Sequence, residues 1–422
     1  MKYAVVTFGC RVNQADSLGL EEELLAAGAQ PVSSDRADLV VVNTCSVTAT
    51  ADQGARQTIR RVARDNPSAR IVVTGCYATR CPDEVAALPN VVQVVANDDK
   101  PRLLSLVRGV RLQPDIPSFD GPCGAAIEPG VAGRTAFTLR VQTGCDEPCS
   151  YCIIPSTRGQ SRSVPLAELL REVERVCAAG FKEIALTGVH LGSYGRDLSP
   201  ALSLADLLRA LDVGPAKAGH YGRDVLFRIS SLEPMDCTRD LVDLVAASDR
   251  FAPHFHLPLQ HASNRVLAAM RRPYTLEQYA AIVDDIRTRL PHASIGSDVI
   301  VGFPGEDDSD ADALAEYLDA SPLTHLHVFP YSDRPGTVAA AMGGKVHGAV
   351  IRDRSRRVRD IGQRLTDRLW RSQTGTTRPA LTIEDGSLAV TDNYLKLRIP
   401  PGLPRNTWVR VRVDGRDRGQ LV

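Results

Sequence analysis

Three cysteines stand close together as Cys145-x3-Cys149-x2-Cys152, in the run Gly144-Cys145-Asp146-Glu147-Pro148-Cys149-Ser150-Tyr151-Cys152. A loop this tight points three thiolates at one centre, and soft thiolates select zinc or iron–sulfur clusters. A closed zinc site needs a fourth ligand, and none lies at the usual spacing. Three cysteines on a four-iron cube leave one iron open to bind something else. A second set is spread along the chain. Cys10, Cys45 and Cys76 each follow directly on a short Val-rich run, in Gly9-Cys10, Thr44-Cys45 and Gly75-Cys76. One such cysteine reads as a small buried hydrophobe. Three in phase read as ligands converging on one metal centre. Cys81, Cys123, Cys177 and Cys237 match no such pattern and read as structural.

The elements that must position these thiols follow from periodicity. Lys2–Phe8, Asp38–Asn43, Arg70–Thr74 and Val91–Val95 are strand-like runs, with helical patterns at Asp16–Ala27, Asp52–Asp65 and Pro101–Arg108. Alternation of this kind predicts a doubly wound α/β domain with a mostly parallel sheet, whose ligand crevice lies at the carboxyl ends of the strands. Residues 113–133 are rich in Pro and Gly and read as a linker. From Ala136 a second α/β repeat begins. Its strands fall at Phe137–Gln142, Glu183–Leu186, Val225–Ser230, His254–Leu257, Ser294–Val301 and His325–Phe329. Six βα units are too few to close an eight-fold barrel, so the expectation is an open (β/α)6 partial TIM barrel with active residues at strand C-termini. Val213–Asp224 reads as a Gly-rich surface insertion. Arg352–Arg371 is an Arg-rich helix, and Ala380–Val422 alternates apolar and polar residues between turns, which predicts a small antiparallel β-barrel. The expected division is 1–112, linker 113–133, 134–345, connecting helix 346–372 and 373–422.

Composition narrows the class. A chain of 422 residues with 43% hydrophobic content supports two or three domains with full cores. Ten clustered cysteines are too few for a disulfide scaffold, so a reducing, cytoplasmic setting with metal binding is expected. The N-terminus lacks the apolar core of a signal peptide. No apolar run is long enough to span a membrane. Net charge is zero but segregated: from Lys345 onward 17 Lys and Arg stand against 8 Asp and Glu. A basic tail on an acidic body predicts a polyanion partner. Tyr394 is placed either to stack on a base or to pack in the core.

The motifs extend the pattern over nearly the whole chain. They are Thr7-Phe8-Gly9-Cys10-Arg11-Val12-Asn13, Val42-Asn43-Thr44-Cys45, Val73-Thr74-Gly75-Cys76 and the Cys145 loop. Further on stand Leu186-Thr187-Gly188-Val189-His190-Leu191-Gly192, Ser230-Ser231-Leu232-Glu233-Pro234 and Asp298-Val299-Ile300-Val301-Gly302-Phe303-Pro304-Gly305. Together they resemble the radical S-adenosylmethionine (SAM) methylthiotransferases, which join an N-terminal three-cysteine domain, a radical SAM partial barrel and a C-terminal TRAM barrel. The resemblance implies two [4Fe-4S] clusters, an auxiliary one on Cys10, Cys45 and Cys76 and a SAM-binding one on Cys145, Cys149 and Cys152. It further implies that both clusters face one cavity, and that a 5′-deoxyadenosyl radical activates the substrate carbon before methylated sulfur is delivered, with two SAM molecules consumed per turnover.

Gly9-Cys10-Arg11-Val12-Asn13 and Gly188-Val189-His190-Leu191-Gly192-Ser193-Tyr194-Gly195 are most similar to the MtaB branch, which acts on N6-threonylcarbamoyladenosine at tRNA position 37. The isopentenyladenosine branch usually carries Gln-Met-Asn after the first cysteine, and the branch acting on a ribosomal-protein aspartate carries Pro-Lys-Asn. A non-catalytic iron–sulfur RNA-binding protein is the remaining alternative. Thr187, Gly188, Ser231, Glu233, Asp298 and Gly302 are the expected SAM contacts, with structural capping as the other role of the last four. His190, His254, His256 and His261 read as core hydrogen-bonding residues rather than metal ligands, and Arg158 as a surface arginine or a contact to phosphate or the SAM carboxylate. Gln260-His261-Ala262-Ser263-Asn264 departs from the commoner Gln-Ser-Gly-Ser-Asp. The implied partners are the tRNA anticodon stem-loop, an electron donor such as flavodoxin or ferredoxin, and a sulfur source.

Overall fold

Long Val-rich strands buried on both faces need helices on both sides, and the N-terminal region is built that way. The computed structural model describes residues 1–107, 129, 135–214 and 224–422. Apart from residue 129, the expected linker 113–133 with Cys123, and the body of the insertion 213–224, lie outside the described residues. Five parallel strands, β1 (Lys2–Thr7), β2 (Gln30–Pro31), β3 (Leu39–Thr44), β4 (Arg70–Gly75) and β5 (Val91–Val95), are ordered β2-β1-β3-β4-β5. Alternate residues of β3 and β4 feed two cores. Val40, Val42, Ile71 and Val73 meet Ala55, Ile59 and Val62 of the helix Ala49–Asp65. Leu39, Val41 and Val72 meet Leu20 and Leu24 of the helix Arg11–Ala26, with Leu103 and Leu104. That helix starts at Arg11, earlier than the apolar pattern predicts, with Cys10 at its N-cap position.

By compactness the chain divides into two units. The first comprises Met1–Ile127, Thr143–Arg162 and Ser332–Ala340, so it contains the Cys145 loop as well as the β1–β5 sheet. The second comprises Glu128–Gln142, Ser163–Tyr331 and Ala341–Val422.

The second unit carries the six expected barrel strands: β6 (Phe137–Arg140), β7 (Glu183–Thr187), β8 (Leu226–Ile229), β9 (His254–His256), β10 (Ser294–Val301) and β11 (His325–Pro330). They form two parallel three-stranded sheets, β8-β7-β6 and β9-β10-β11. A single bridge, Phe227 to Phe251, extends β8 toward β9. On β10 every residue but half-buried Asp298 is buried, while side-chain direction alternates along the strand. Ile295, Ser297, Val299 and Val301 are buried, and Ser297 accepts a hydrogen bond from Tyr279 of the helix Leu276–Arg289. Gly296 and Asp298 therefore point to the concave side.

The Arg-rich helix runs Gly348–Gln373 and docks on the acidic helix Asp308–Ala320. Arg354 reaches Asp308 at 2.6 Å, Arg357 reaches Asp312 at 2.5 Å and Arg364 reaches Asp319 at 2.7 Å. One face of the helix is thus matched within the fold, and the excess positive charge available to a partner is smaller than composition alone suggests. After it, β12 (Thr377–Ile383), β13 (Leu388–Thr391), β14 (Lys396–Arg398), β15 (Trp408–Gly415) and β16 (Arg418–Leu421) close a barrel in the order β12-β13-β14-β16-β15. Leu395, Leu397, Ile399, Val411 and Val413 fill it together with Leu369 and Trp370 from the helix. The alternating Lys396, Arg398, Arg410 and Arg412 are exposed.

Candidate functional site

In the first unit β1, β3 and β4 are immediate neighbours, so the cysteines that end them are brought side by side. Cys10 is exposed, whereas Cys45 and Cys76 are buried. Burial, with the nearby charges of Cys10, Cys76 and Asp52, pushes the Cys45 thiol up to about 11. Two glycines make the approach possible. Gly9 has φ +87°, and a Cβ there would lie 2.5 Å from the Cys45 sulfur. Gly75 has φ +94°, and its Cβ would meet the Thr44 carbonyl oxygen at 2.2 Å. Asn13 ties the loops together, donating to Phe8 O at 2.8 Å and to Thr44 O at 2.9 Å. Three soft donors, gathered where no Cβ blocks them, fit a thiolate-ligated cluster with one open position.

The second set sits in a loop that closes on itself. Gly144 has φ +76°, and a Cβ would fall 1.8 Å from Gln160 O. Cys145 N–H donates to Gly159 O, and Cys152 N–H donates to Cys149 O. All three thiols are half-buried. Burial, with the adjacent charges of Cys149, Glu147 and Asp146, carries the Cys145 thiol to about 11.

Between the two sets within this unit lies a buried charge network. The short helix Ile154–Arg158 follows the loop directly, and Arg158 at its end is buried rather than on the surface. Its guanidinium donates to Asn13 at 2.5 Å and to Asp16 at 3.2 Å, and it interacts with Cys76. Lys100 meets the same Asp16 carboxylate at 2.7 Å, and Asn97 reaches the Cys76 sulfur at 3.7 Å and Thr157 O at 2.8 Å. A second buried carboxylate, Asp52, takes Arg80 at 2.6 Å and Arg334 at 2.7 Å. Asn13 belongs to a recognised motif. The network ions do not, because an Asp or Lys in a helical pattern reads as a solvated face.

In the second unit the expected SAM contacts occupy several settings. Thr187 ends β7 and is buried, and Gly188 follows it. Gln142, which sequence reasoning missed, accepts hydrogen bonds from Val189 N at 2.9 Å and His190 N at 3.0 Å and so fixes that turn. A Cβ on Gly188 would lie 2.9 Å from the same carboxamide oxygen. Ser231 is exposed past the end of β8, whereas the Glu233 carboxylate pairs with buried Arg272. Gly302 follows β10 at φ +81°, and Glu306 accepts from the N–H groups of Gly302 and Phe303 at 2.6 and 3.2 Å.

Asp298 stands inside β10 rather than at its edge. Its Oδ1 accepts from His256 Nε2 at 2.8 Å and from His327 Nδ1 at 3.1 Å. Burial pushes this carboxylate up, but the hydrogen bonds and charges of His256 and His327 outweigh it and hold the group well below the usual carboxylate range. His190 pairs with Asp236 at 2.7 Å, and fully buried His261 accepts from Ser263 N at 2.9 Å on Nδ1 with its Nε2 3.6 Å from Glu306, which agrees with core roles. The departing Gln260–Asn264 loop is anchored locally. Ser263 bonds Asp310 at 2.6 Å, and Asn264 accepts from Leu276 N at 2.7 Å. Tyr394 packs against His254 at 4.6 Å with Arg228 4.7 Å from its ring centre, and is still 44% exposed.

With this geometry in hand, the comparisons with known proteins are specific. Residues 2–97 match the family model described as Uncharacterized protein family UPF0004, and residues 139–318 match that of the Radical SAM superfamily. A threonylcarbamoyladenosine tRNA methylthiotransferase, MtaB, of Aquifex aeolicus is 36% identical over 94% of this chain and 96% of its own. A tRNA-2-methylthio-N(6)-dimethylallyladenosine synthase of Leifsonia xyli is 32% identical over 86% of this chain and 68% of its own. Among solved structures, the radical S-adenosylmethionine methyltransferase TsrM from Kitasatospora setae, with cobalamin and a [4Fe-4S] cluster bound, has a TM-score of 0.57 at 16% identity. That match covers 80% of this chain and 76% of the other, and is a likeness of fold.

Proposed function

The chain belongs to the radical SAM methylthiotransferases, and on that premise we propose that it adds a methylthio group to C2 of N6-threonylcarbamoyladenosine at tRNA position 37. The observation that carries the reading is the pair of three-cysteine sets within one unit, each built on a glycine that a side chain would obstruct. Cys145, Cys149 and Cys152 would hold the SAM-binding [4Fe-4S] cluster, and Cys10, Cys45 and Cys76 the auxiliary one. When bound, these groups supply the one-electron chemistry and the sulfur that no side chain offers, which an unreactive adenine carbon requires.

The chain's own residues bind and orient. Thr187 and Gly188, on the turn that Gln142 fixes, lie where a backbone can approach the methionine part of SAM. Gly302 lies on the turn that Glu306 fixes, and Ile351 fills the place where its Cβ would be. Ser231 is an exposed polar group past β8, while Glu233 acts through Arg272. Arg158 holds positive charge beside Cys10 and Cys76. The C-terminal barrel, read as a TRAM domain, presents Lys396, Arg398, Arg410 and Arg412 to the phosphates of the anticodon stem-loop. The first domain would be 1–112 and the radical SAM barrel 134–345. A cytoplasmic electron donor such as flavodoxin or ferredoxin, and a sulfur source, complete the system.

The relatives that act on dimethylallyladenosine favour a second substrate, and one experiment separates the two. Nucleoside mass spectrometry of tRNA from a deletion strain should show loss of 2-methylthio-N6-threonylcarbamoyladenosine and accumulation of its unthiolated precursor. Loss of the dimethylallyl analogue instead would overturn the proposal.

A further inference from the structure

The concave face of the second unit's partial barrel is lined by ionisable side chains. Parallel register sets His256 of β9 opposite Gly296 of β10, Gly296 opposite His325 of β11, and Asp298 opposite His327. Gly296 makes room for this cluster, since a Cβ there would lie 2.1 Å from His325 Nε2 and 2.8 Å from His256 Nδ1. An ionised carboxylate only accepts hydrogen bonds, so Asp298 fixes the proton on His256 Nε2 and on His327 Nδ1. The cluster is open on one side. The His327 side chain is 57% exposed, against 9% for His256 and 23% for Asp298. His327 Nε2 has no hydrogen-bond partner among the described residues.

We infer that His327, held by Asp298 and backed by His256, forms a pocket for a polar, carboxylate-bearing substituent on N6 of the target adenine. This rests on the proposed adenine-modifying reading and deepens it. The Asp298 hydrogen bond raises the His327 pKa against the opposing effect of burial, which favours the imidazolium and leaves an N–H at Nε2 to donate. His325, by contrast, is pushed down to about 3 by burial and by the charges of His256 and His327, and stays neutral behind them. A threonylcarbamoyl group brings a carboxylate, a hydroxyl and a urea to such a site. A dimethylallyl group would strip water from the imidazolium and return no hydrogen bond, and sites built to hydrogen-bond a substrate group reject analogues that lack it.

The test uses the reconstituted holoprotein and anticodon stem-loop RNAs that differ only at position 37, carrying N6-threonylcarbamoyladenosine, N6-dimethylallyladenosine or adenosine. Fluorescence anisotropy should show the first bound about ten- to a hundredfold tighter than the other two, the range expected of a hydrogen bond to a charged group. In His327→Leu that ratio should collapse toward one, and in His327→Gln part of it should return. Circular dichroism melting reports whether each variant folds, and an exposed position makes misfolding a small risk. If the parent protein discriminates and His327→Leu still does, the pocket lies elsewhere and the inference fails. Should the parent show no preference for the threonylcarbamoyl RNA, the substrate reading itself fails. The donor atoms of His256, Asp298 and His327 also lie within 4.8 Å of one another, as a divalent cation would need. A preference that a chelator abolishes would assign the cluster to a metal and overturn the hydrogen-bond account.

Discussion

The two cysteine sets share one unit yet are built on opposite plans. Cys145, Cys149 and Cys152 come from one loop, which closes on Gly159 and Gln160 and is tied by Ser150 O to the N–H of Ala339. Cys10, Cys45 and Cys76 come from three strand ends and meet only because β1, β3 and β4 are adjacent in the sheet. Most of what shapes the loop is near it in sequence. The strand-end set depends on sheet order, on two glycines and on buried ions that bridge the segments. The first plan suits an open site where a small molecule docks, and the second suits a rigid holder whose geometry the whole domain enforces.

The strongest way to break the comparison is to fill each glycine. Gly144→Val would drive a side chain into Gln160 O, and Gly9→Val would drive one into the Cys45 sulfur. Each should abolish loading of its own set and spare the other, so iron content should fall by about half in either variant. Iron analysis and electron paramagnetic resonance after anaerobic reconstitution check this. Equal loss of both clusters in Gly144→Val would show that the loop is not autonomous.

A smaller effect is expected from the ions. Asp16→Ala removes the shared partner of Lys100 and Arg158 and leaves two buried cations uncompensated. It should cost about 3–5 kcal/mol in urea denaturation of the metal-free protein. Asp146→Ala in the loop loses only exposed contacts to Ser161 N and should stay within about 0.5 kcal/mol. Comparable losses would remove the contrast between the two plans.

The sets should look most alike in thiol reactivity. Burial carries Cys45 and Cys145 to about 11 in the absence of metal, and the thiolate is the nucleophile. Alkylation of either should be slow at neutral pH and should rise by about tenfold per pH unit until that range is reached, because the raised pKa leaves little thiolate below it. Mass spectrometry of peptides after timed iodoacetamide treatment measures both rates. A plateau near pH 8 would mean that the thiols titrate normally.

Much of this was legible in the residues. Val-rich runs ending in cysteine announced the parallel sheet and its crevice, and the six barrel strands fell where their apolar runs lie. Hydrophobic period and ligand spacing are local signals, and they survive in a bare sequence. What was not legible is relational. Arg158 read as a surface arginine until the fold set Asp16 and Cys76 against it. Tyr394 had two readings, and only the fold shows that Arg228 and His254 lie against a ring that stays 44% exposed. Asp298 read as a SAM contact or a structural cap because nothing local reveals that His256 and His327 meet its carboxylate from two other strands. The arginines after Lys345 looked free for RNA until the acidic helix Asp308–Ala320 was found to match several of them. In each case the partner lies on another element, and only topology supplies it.

The central claim is a division of labour, in which the loop set supports SAM cleavage and the strand-end set supports sulfur delivery. The most direct test compares Cys10→Ala with Cys149→Ala, each reconstituted anaerobically and checked for fold by circular dichroism. With SAM, tRNA and a strong reductant, Cys10→Ala should still release 5′-deoxyadenosine and form no methylthio nucleoside, whereas Cys149→Ala should do neither. A correctly folded Cys10→Ala protein that cannot cleave SAM would contradict the assignment.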